Sequence, residues 1–77
     1  MYAATDGMPE LSRTARSQNG VIHRDQCRAI GVHRSYVRNQ LDAERWTALG
    51  DKVLLLQNAR PSRRQLMWIA ILDAPPL

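Results

Sequence analysis

Three side chains in this 77-residue sequence are of the types that ligate a soft metal or serve as nucleophile and base: His23, Cys27 and His33. His23 and Cys27 stand four residues apart, a spacing that puts two ligands on one helix face. A structural zinc site needs four ligands with hydrogen-bonded support behind them, and the chain has one cysteine and two histidines in all, so the count argues against a metal. Cys27 also lacks a group to orient a histidine base, lacks an oxyanion site, and falls on an apolar stripe with Ile30, Val37 and Leu41. It reads as a small core residue. The four glycines, Gly7, Gly20, Gly31 and Gly50, are isolated, so no phosphate-cradling loop is present. The expectation is no enzyme, no cofactor and no metal.

The remaining chemistry is cationic. Eleven Lys and Arg stand against seven Asp and Glu, a net charge of +4. Arg13, Arg16, Arg24, Arg28, Arg34 and Arg38 lie between Leu11 and Gln40, where Asp25 is the single acid; six cations less one acid leave +5 on that stretch. Arginine presents a planar fork matched to phosphate and to guanine edges, so a local arginine block points to a nucleic-acid partner.

The elements that would position these arginines are short. Residues 20–41 read as two helices joined by a turn: Val21 and Ile22 lead into a helix carrying Cys27 and Ile30, Gly31 supplies a left-handed stop, and a second helix over 34–42 repeats apolar positions at Val37 and Leu41. Stepped at ~100° per residue, Ser35, Arg38, Asn39 and Asp42 stand away from that stripe. Before this pair, Pro9 and Glu10 start a helix that carries Leu11 and Ala15 inward, exposes Arg13 and Arg16, and ends at Asn19-Gly20. Val21 and Ile22 suit a minor third strand beside a hairpin. His23 sits at a helix N-cap, where its imidazole is expected to be inferior to Ser or Thr by about 1 kcal/mol at most.

Downstream, residues 46–49 and 52–56 flank Gly50-Asp51 and read as a hairpin with a two-residue type II′ turn, a wing following a helix-turn-helix. Ser62 and Gln65 form a capping box that opens the last helix. Leu66, Ile69 and Ala70 form one stripe there, expected to close the core. Met67, Trp68, Ile71 and Leu72 point the other way, expected to dock a second copy or a protein partner. The expected organisation is a disordered tail over 1–8, a winged helix-turn-helix over 9–58, and a linker with a C-terminal dimerisation or docking helix over 59–77. The fold class is mainly α with a small β-hairpin: a three-helix core, a wing and an extra C-terminal helix.

Along Asn19-Gly20-Val21-Ile22-His23, Ala29-Ile30-Gly31-Val32-His33-Arg34, Glu44-Arg45-Trp46 and Arg63-Arg64-Gln65-Leu66-Met67-Trp68-Ile69, the chain resembles the N-terminal winged-helix domain of AbiEi-type antitoxins of type IV toxin-antitoxin systems, a domain also found in actinobacterial proteins. The resemblance covers about residues 11–75. It implies a DNA-binding domain that represses its own operon at repeated promoter sites, usually followed by a larger C-terminal domain associated with toxin neutralisation. His23 and His33 stand where such helices usually carry Ser or Thr.

The resulting expectation is a cytoplasmic, sequence-specific repressor of duplex DNA with the helix over 34–42 in the major groove. Arg34, Ser35, Arg38 and Asn39 would read bases, Tyr36 would pack beside a base or sugar, and Arg13, Arg28 and Lys52 would hold phosphates. The alternative is a winged-helix module that binds protein with the same faces. No membrane is expected as a partner, because the longest apolar run, 66–72, is too short to cross a bilayer.

Overall fold

The computed structural model describes residues 7–74. The chain runs α1 (Pro9–Ser17), β1 (Val21–His23), α2 (Arg24–Ile30), α3 (Arg34–Asp42), β2 (Thr47–Leu49), β3 (Val53–Leu55) and α4 (Arg63–Leu72). The strands form one antiparallel sheet in the order β1-β3-β2. The architecture is therefore mixed, with four helices around a three-stranded sheet. The tail expected over 1–8 lies outside the described residues at 1–6, while Met8 is half-buried and packs against the core just ahead of Pro9.

Packing is organised by β3. Val53, Leu54, Leu55 and the following Leu56 are all fully buried. Side chains alternate across a sheet, so Leu54 and Leu56 enter one cluster with Leu11, Ala15, Ile22, Cys27, Val37 and Trp46. Val53 and Leu55 enter another with Val21, against Leu49, Trp68, Ile69 and Leu72. A strand covered on both faces reads as an unbroken apolar run, which is why 53–56 shows no alternation. α1, α2 and α3 cover one face of the sheet, and α4 covers the other.

α4 is rotated from the orientation its apolar pattern implies. Gln65, Trp68, Ile69 and Leu72 face the protein, whereas Leu66, Met67 and Ile71 are 54%, 62% and 61% exposed and Ala70 is exposed as well. Trp68 and Leu72 are thus removed from the expected docking surface, and Leu66 and Ala70 are moved onto it. The reason is polar. The buried Gln65 donates from Nε2 to the carbonyl of Asn19 at 2.8 Å and to Oε1 of Gln57 at 3.0 Å, while Trp68 Nε1 donates to Oδ1 of Asn19 at 3.1 Å. Burying an unpaired amide costs more than exposing a methionine, so hydrogen bonding sets the rotation.

The hairpin also departs from expectation. Leu49 pairs with Val53, so Gly50, Asp51 and Lys52 form a three-residue turn in which Gly50 takes φ 73°. Lys52 lies in the turn, not at the head of a strand, and its carbonyl accepts the N–H of Arg24 at 2.8 Å. The strand at Val21 and Ile22 joins this hairpin as the third strand, with Ile22 opposite Leu54.

Candidate nucleic-acid interface

Gly31 sets the angle between α2 and α3. With φ 93°, it closes α2 through bonds from its own N–H to the Arg28 carbonyl at 3.1 Å and from Val32 N–H to the Cys27 carbonyl at 2.9 Å. That paired pattern satisfies the last carbonyls of a helix and requires a left-handed residue. Two histidines start the helices that flank it. His23 Nδ1 accepts the N–H of Asp25 at 2.9 Å, and Gln26 Oε1 accepts the N–H of His23 at 2.9 Å, completing a capping box. His33 Nδ1 accepts the N–H of Ser35 at 3.1 Å and lies 2.8 Å from its hydroxyl. The expected deficit at His23 is therefore offset, because an unprotonated imidazole nitrogen takes the acceptor role of a serine oxygen.

α3 places Val37 and Gln40 inward, with Leu41 and Tyr36 half-buried, and leaves Arg34, Ser35, Arg38, Asn39 and Asp42 exposed. Tyr36 is half-buried: its ring meets Trp46 edge-on, with centroids 5.9 Å apart and planes at 72°, so it packs at the border of the core. It stands ~100° from Val37 on the helix wheel but on the side of Gln40, where an aromatic ring finds cover.

Between the start of α2 and the outer face of α3 lies an open groove of about 620 Å³ lined by Arg24, Arg34, Ser35, Arg38, Leu41 and Asp42. Arg24 and Arg34 also line a second hollow of about 320 Å³, together with Arg28 and His33. Arg24 and Arg34 thus line both hollows, while Arg38 lines the first, with Asp42 as its acid, and Arg28 lines the second. Arg28 pairs with Asp25 at 3.6 Å, but both side chains are mostly in water, so the pair restrains Arg28 little. Lys52, exposed in the wing turn, lines neither hollow; its carbonyl accepts the N–H of Arg24. Asn39 lies on the exposed face beside Arg38. Arg13 is exposed on α1 and is not among the residues that line either hollow.

Arg24 is the residue to which sequence reading gave no role of its own. Its Nε–H is shielded from solvent and has no acceptor among the described residues, which is uncommon for a buried donor. The signal was its place at the first position of α2, directly after a strand paired to the wing, where the side chain is held against the first turns of α3.

The Cys27 thiol is 2% exposed, and burial pushes its pKa up to about 11 against the smaller opposing pull of Arg24. It packs with Ile30, Val37 and Leu41 as expected and is unsuited to nucleophilic attack. Among the described residues, no three His, Cys, Asp or Glu side chains gather as a metal site, and no helix is long and apolar enough to cross a membrane. Comparison with known protein families, with curated proteins and with solved structures finds no match to the chain.

Proposed function

We propose that the chain is a winged helix-turn-helix domain that binds duplex DNA, with α3 in the major groove and the turn at 50–52 as the wing. The observation that carries this reading is the groove lined by Arg24, Arg34 and Arg38 beside an exposed polar face of α3, with Arg28 lining the second hollow that shares Arg24 and Arg34. The element order α1-β1-α2-α3-β2-β3 and a sheet with β3 in the middle also suit the winged-helix class. In this reading Arg34, Arg38 and Asn39 address base edges, since arginine forks onto guanine and asparagine onto adenine. Ser35 keeps only an accepting role, its hydroxyl being engaged with His33. Arg24, Arg28 and Lys52 hold phosphates. The resemblance to AbiEi-type antitoxin domains further suggests a cytoplasmic repressor that controls its own operon.

Selection of bound fragments from sheared genomic DNA, followed by anisotropy titration of the enriched duplex, tests the reading. Neutralising about three phosphates predicts that log K falls with log salt at a slope of roughly −2.7. No enrichment, or binding indifferent to salt, would overturn it.

A further inference from the structure

Ser35 lines the arginine groove with its hydroxyl proton already engaged. The N–H of Ser35 donates to Nδ1 of His33 at 3.1 Å, and Ser35 Oγ lies 2.8 Å from the same nitrogen. A backbone N–H always carries its proton, so the nitrogen that accepts it presents a lone pair, and the ring proton of the neutral imidazole is on Nε2. Two lone pairs facing each other at 2.8 Å would repel, so the Ser35 hydroxyl donates to Nδ1 as well. The backbone of His33 is fixed in the first turn of α3: it has the extended form of an N-cap, φ −70° and ψ 146°, and its carbonyl accepts the N–H groups of Tyr36 and Val37 at 3.0 and 3.2 Å.

What Ser35 has left to offer is the two lone pairs of its oxygen. Arg24, Arg34 and Arg38, which share the groove, are donors matched to phosphate oxygens and to O6 and N7 of guanine. Ser35 needs the reverse, a donor on the DNA. Phosphates carry none, and on the major-groove edge the donors are the exocyclic amines, N4 of cytosine and N6 of adenine, whereas guanine and thymine present acceptors. We propose that His33 is a specificity-determining positioning residue: by holding the Ser35 hydroxyl proton, it makes Ser35 an acceptor for the exocyclic amine of one cytosine or adenine. The inference rests on α3 reading the major groove. A serine free to rotate serves either kind of edge, so the bond to His33 turns a permissive contact into a discriminating one. A base oxygen at that place would meet lone pairs, or would have to draw the hydroxyl away from Nδ1. Asp42, the other side-chain acceptor in the groove's lining, stands seven residues along α3. That is ~10 Å, about three base steps, so the two contacts fall on different pairs.

Two measurements test this, and the first needs no DNA. Nitrogen-15 spectra of the free chain at pH 8 should show His33 with a bare Nδ1 and a protonated Nε2; a proton on Nδ1 would overturn the proposal whatever the chain binds. The second uses the duplex enriched by selection. Base replacement along it should locate one pair whose preference is removed by Ser35→Ala and not by Asp42→Asn. Deleting the amine of that pair, with 2-aminopurine for adenine or 2-pyrimidinone for cytosine, should weaken the wild type about fivefold and leave Ser35→Ala unaffected. Glycine is a tolerated N-cap, so His33→Gly should keep the fold, free the hydroxyl and flatten preference at this pair alone. His33→Asp, whose carboxylate accepts both the N–H and the hydroxyl proton, should restore the preference. Far-UV circular dichroism checks that each variant is folded. A wild type indifferent to the amine, or a His33→Gly variant that keeps the full preference or weakens every duplex alike, would overturn the role of His33 and leave duplex binding by α3 standing. Selection that enriches no duplex would overturn both.

Discussion

Gln65 donates to the carbonyl of Asn19 at 2.8 Å, joining residues 46 positions apart. The same side chain accepts the N–H of Ser62 at 2.8 Å, so one amide both caps α4 and pins it to the turn between α1 and β1. Gln26 does the equivalent for α2, accepting the N–H of His23 while exchanging amide bonds with Gln18 at 2.8 and 3.0 Å. Gln65→Leu is isosteric in bulk but leaves the Asn19 carbonyl and the Ser62 N–H unpaired. It should lower unfolding free energy by about 2–3 kcal/mol in urea titration. Trp68→Phe, which loses only the bond to Asn19 Oδ1, should cost about 1 kcal/mol. Equal stability of Gln65→Leu and wild type would show that packing alone holds α4.

The two histidine caps predict an order of stability among substitutions. His33→Ala removes the acceptor for Ser35 N–H and should cost about 1 kcal/mol, whereas His33→Ser and His33→Asp restore an oxygen acceptor and should match or exceed wild type. Thermal melts of the three variants decide it. If alanine is as good as aspartate, the imidazole is not acting as a cap.

Glu44 adopts φ 59° after α3, a left-handed position filled by a residue with a Cβ. Its N–H meets the Leu41 carbonyl at 3.0 Å, and Arg45 N–H meets the Gln40 carbonyl at 3.0 Å, the same closure that Gly31 gives α2. Glu44→Gly should therefore stabilise the chain by about 0.5–1 kcal/mol, the opposite of what glycine usually does. A loss of stability on this exchange would mean that the Glu44 side chain contributes more than its backbone strain costs.

Cys27 makes a prediction with a sign. Burial raises its pKa from 9.0 to about 11, so the folded chain keeps a proton that the unfolded chain releases first. The unfolded state binds fewer protons between pH 9 and about 11, and the thiol's contribution to stability is lost as pH rises through that window. The pH slope measured for wild type less that of Cys27→Ala isolates the effect from other groups titrating there. Alkylation of native protein at pH 8 should be slow and should accelerate in denaturant; fast native labelling would contradict both burial and the shifted pKa.

Much of the fold was legible because punctuation and periodicity agreed. Pro9, Gly31 and the Ser62–Gln65 box sit where helices start or stop, and the span 34–42 for α3 followed from them. Errors gathered where a polar side chain is buried. Gln65 and Gln40, 6% and 7% exposed, are invisible to an apolar count, and with them went the rotation of α4 and the cover over Tyr36. The turn at 50–52 failed for a different reason: register is set by which residues of β3 reach both clusters, a three-dimensional condition that a Gly-Asp pair does not encode. Arg24 was counted in the basic block but given no role of its own, because its place in the cleft depends on pairing between β1 and β3.

The cleft yields the most discriminating functional prediction. If Arg38 and Asn39 read bases while Arg24 holds a phosphate, the substitutions should differ in kind. Arg38→Ala should cost about 1–3 kcal/mol on the preferred duplex and little on unrelated DNA, relaxing specificity. Arg24→Met retains much of the apolar stem and should weaken all duplexes about equally, reducing the salt slope by about one charge. Tyr36→Phe should leave sequence preference unchanged, because the ring is engaged with Trp46. Arg13→Ala, whose side chain lines neither hollow, should change affinity less than alanine at Arg24, Arg34 or Arg38. Anisotropy titrations on matched and scrambled duplexes at three salt concentrations separate these outcomes. Arg24→Met that alters preference between sequences, or Arg38→Ala that weakens every duplex alike, would reverse the assigned roles of α2 and α3.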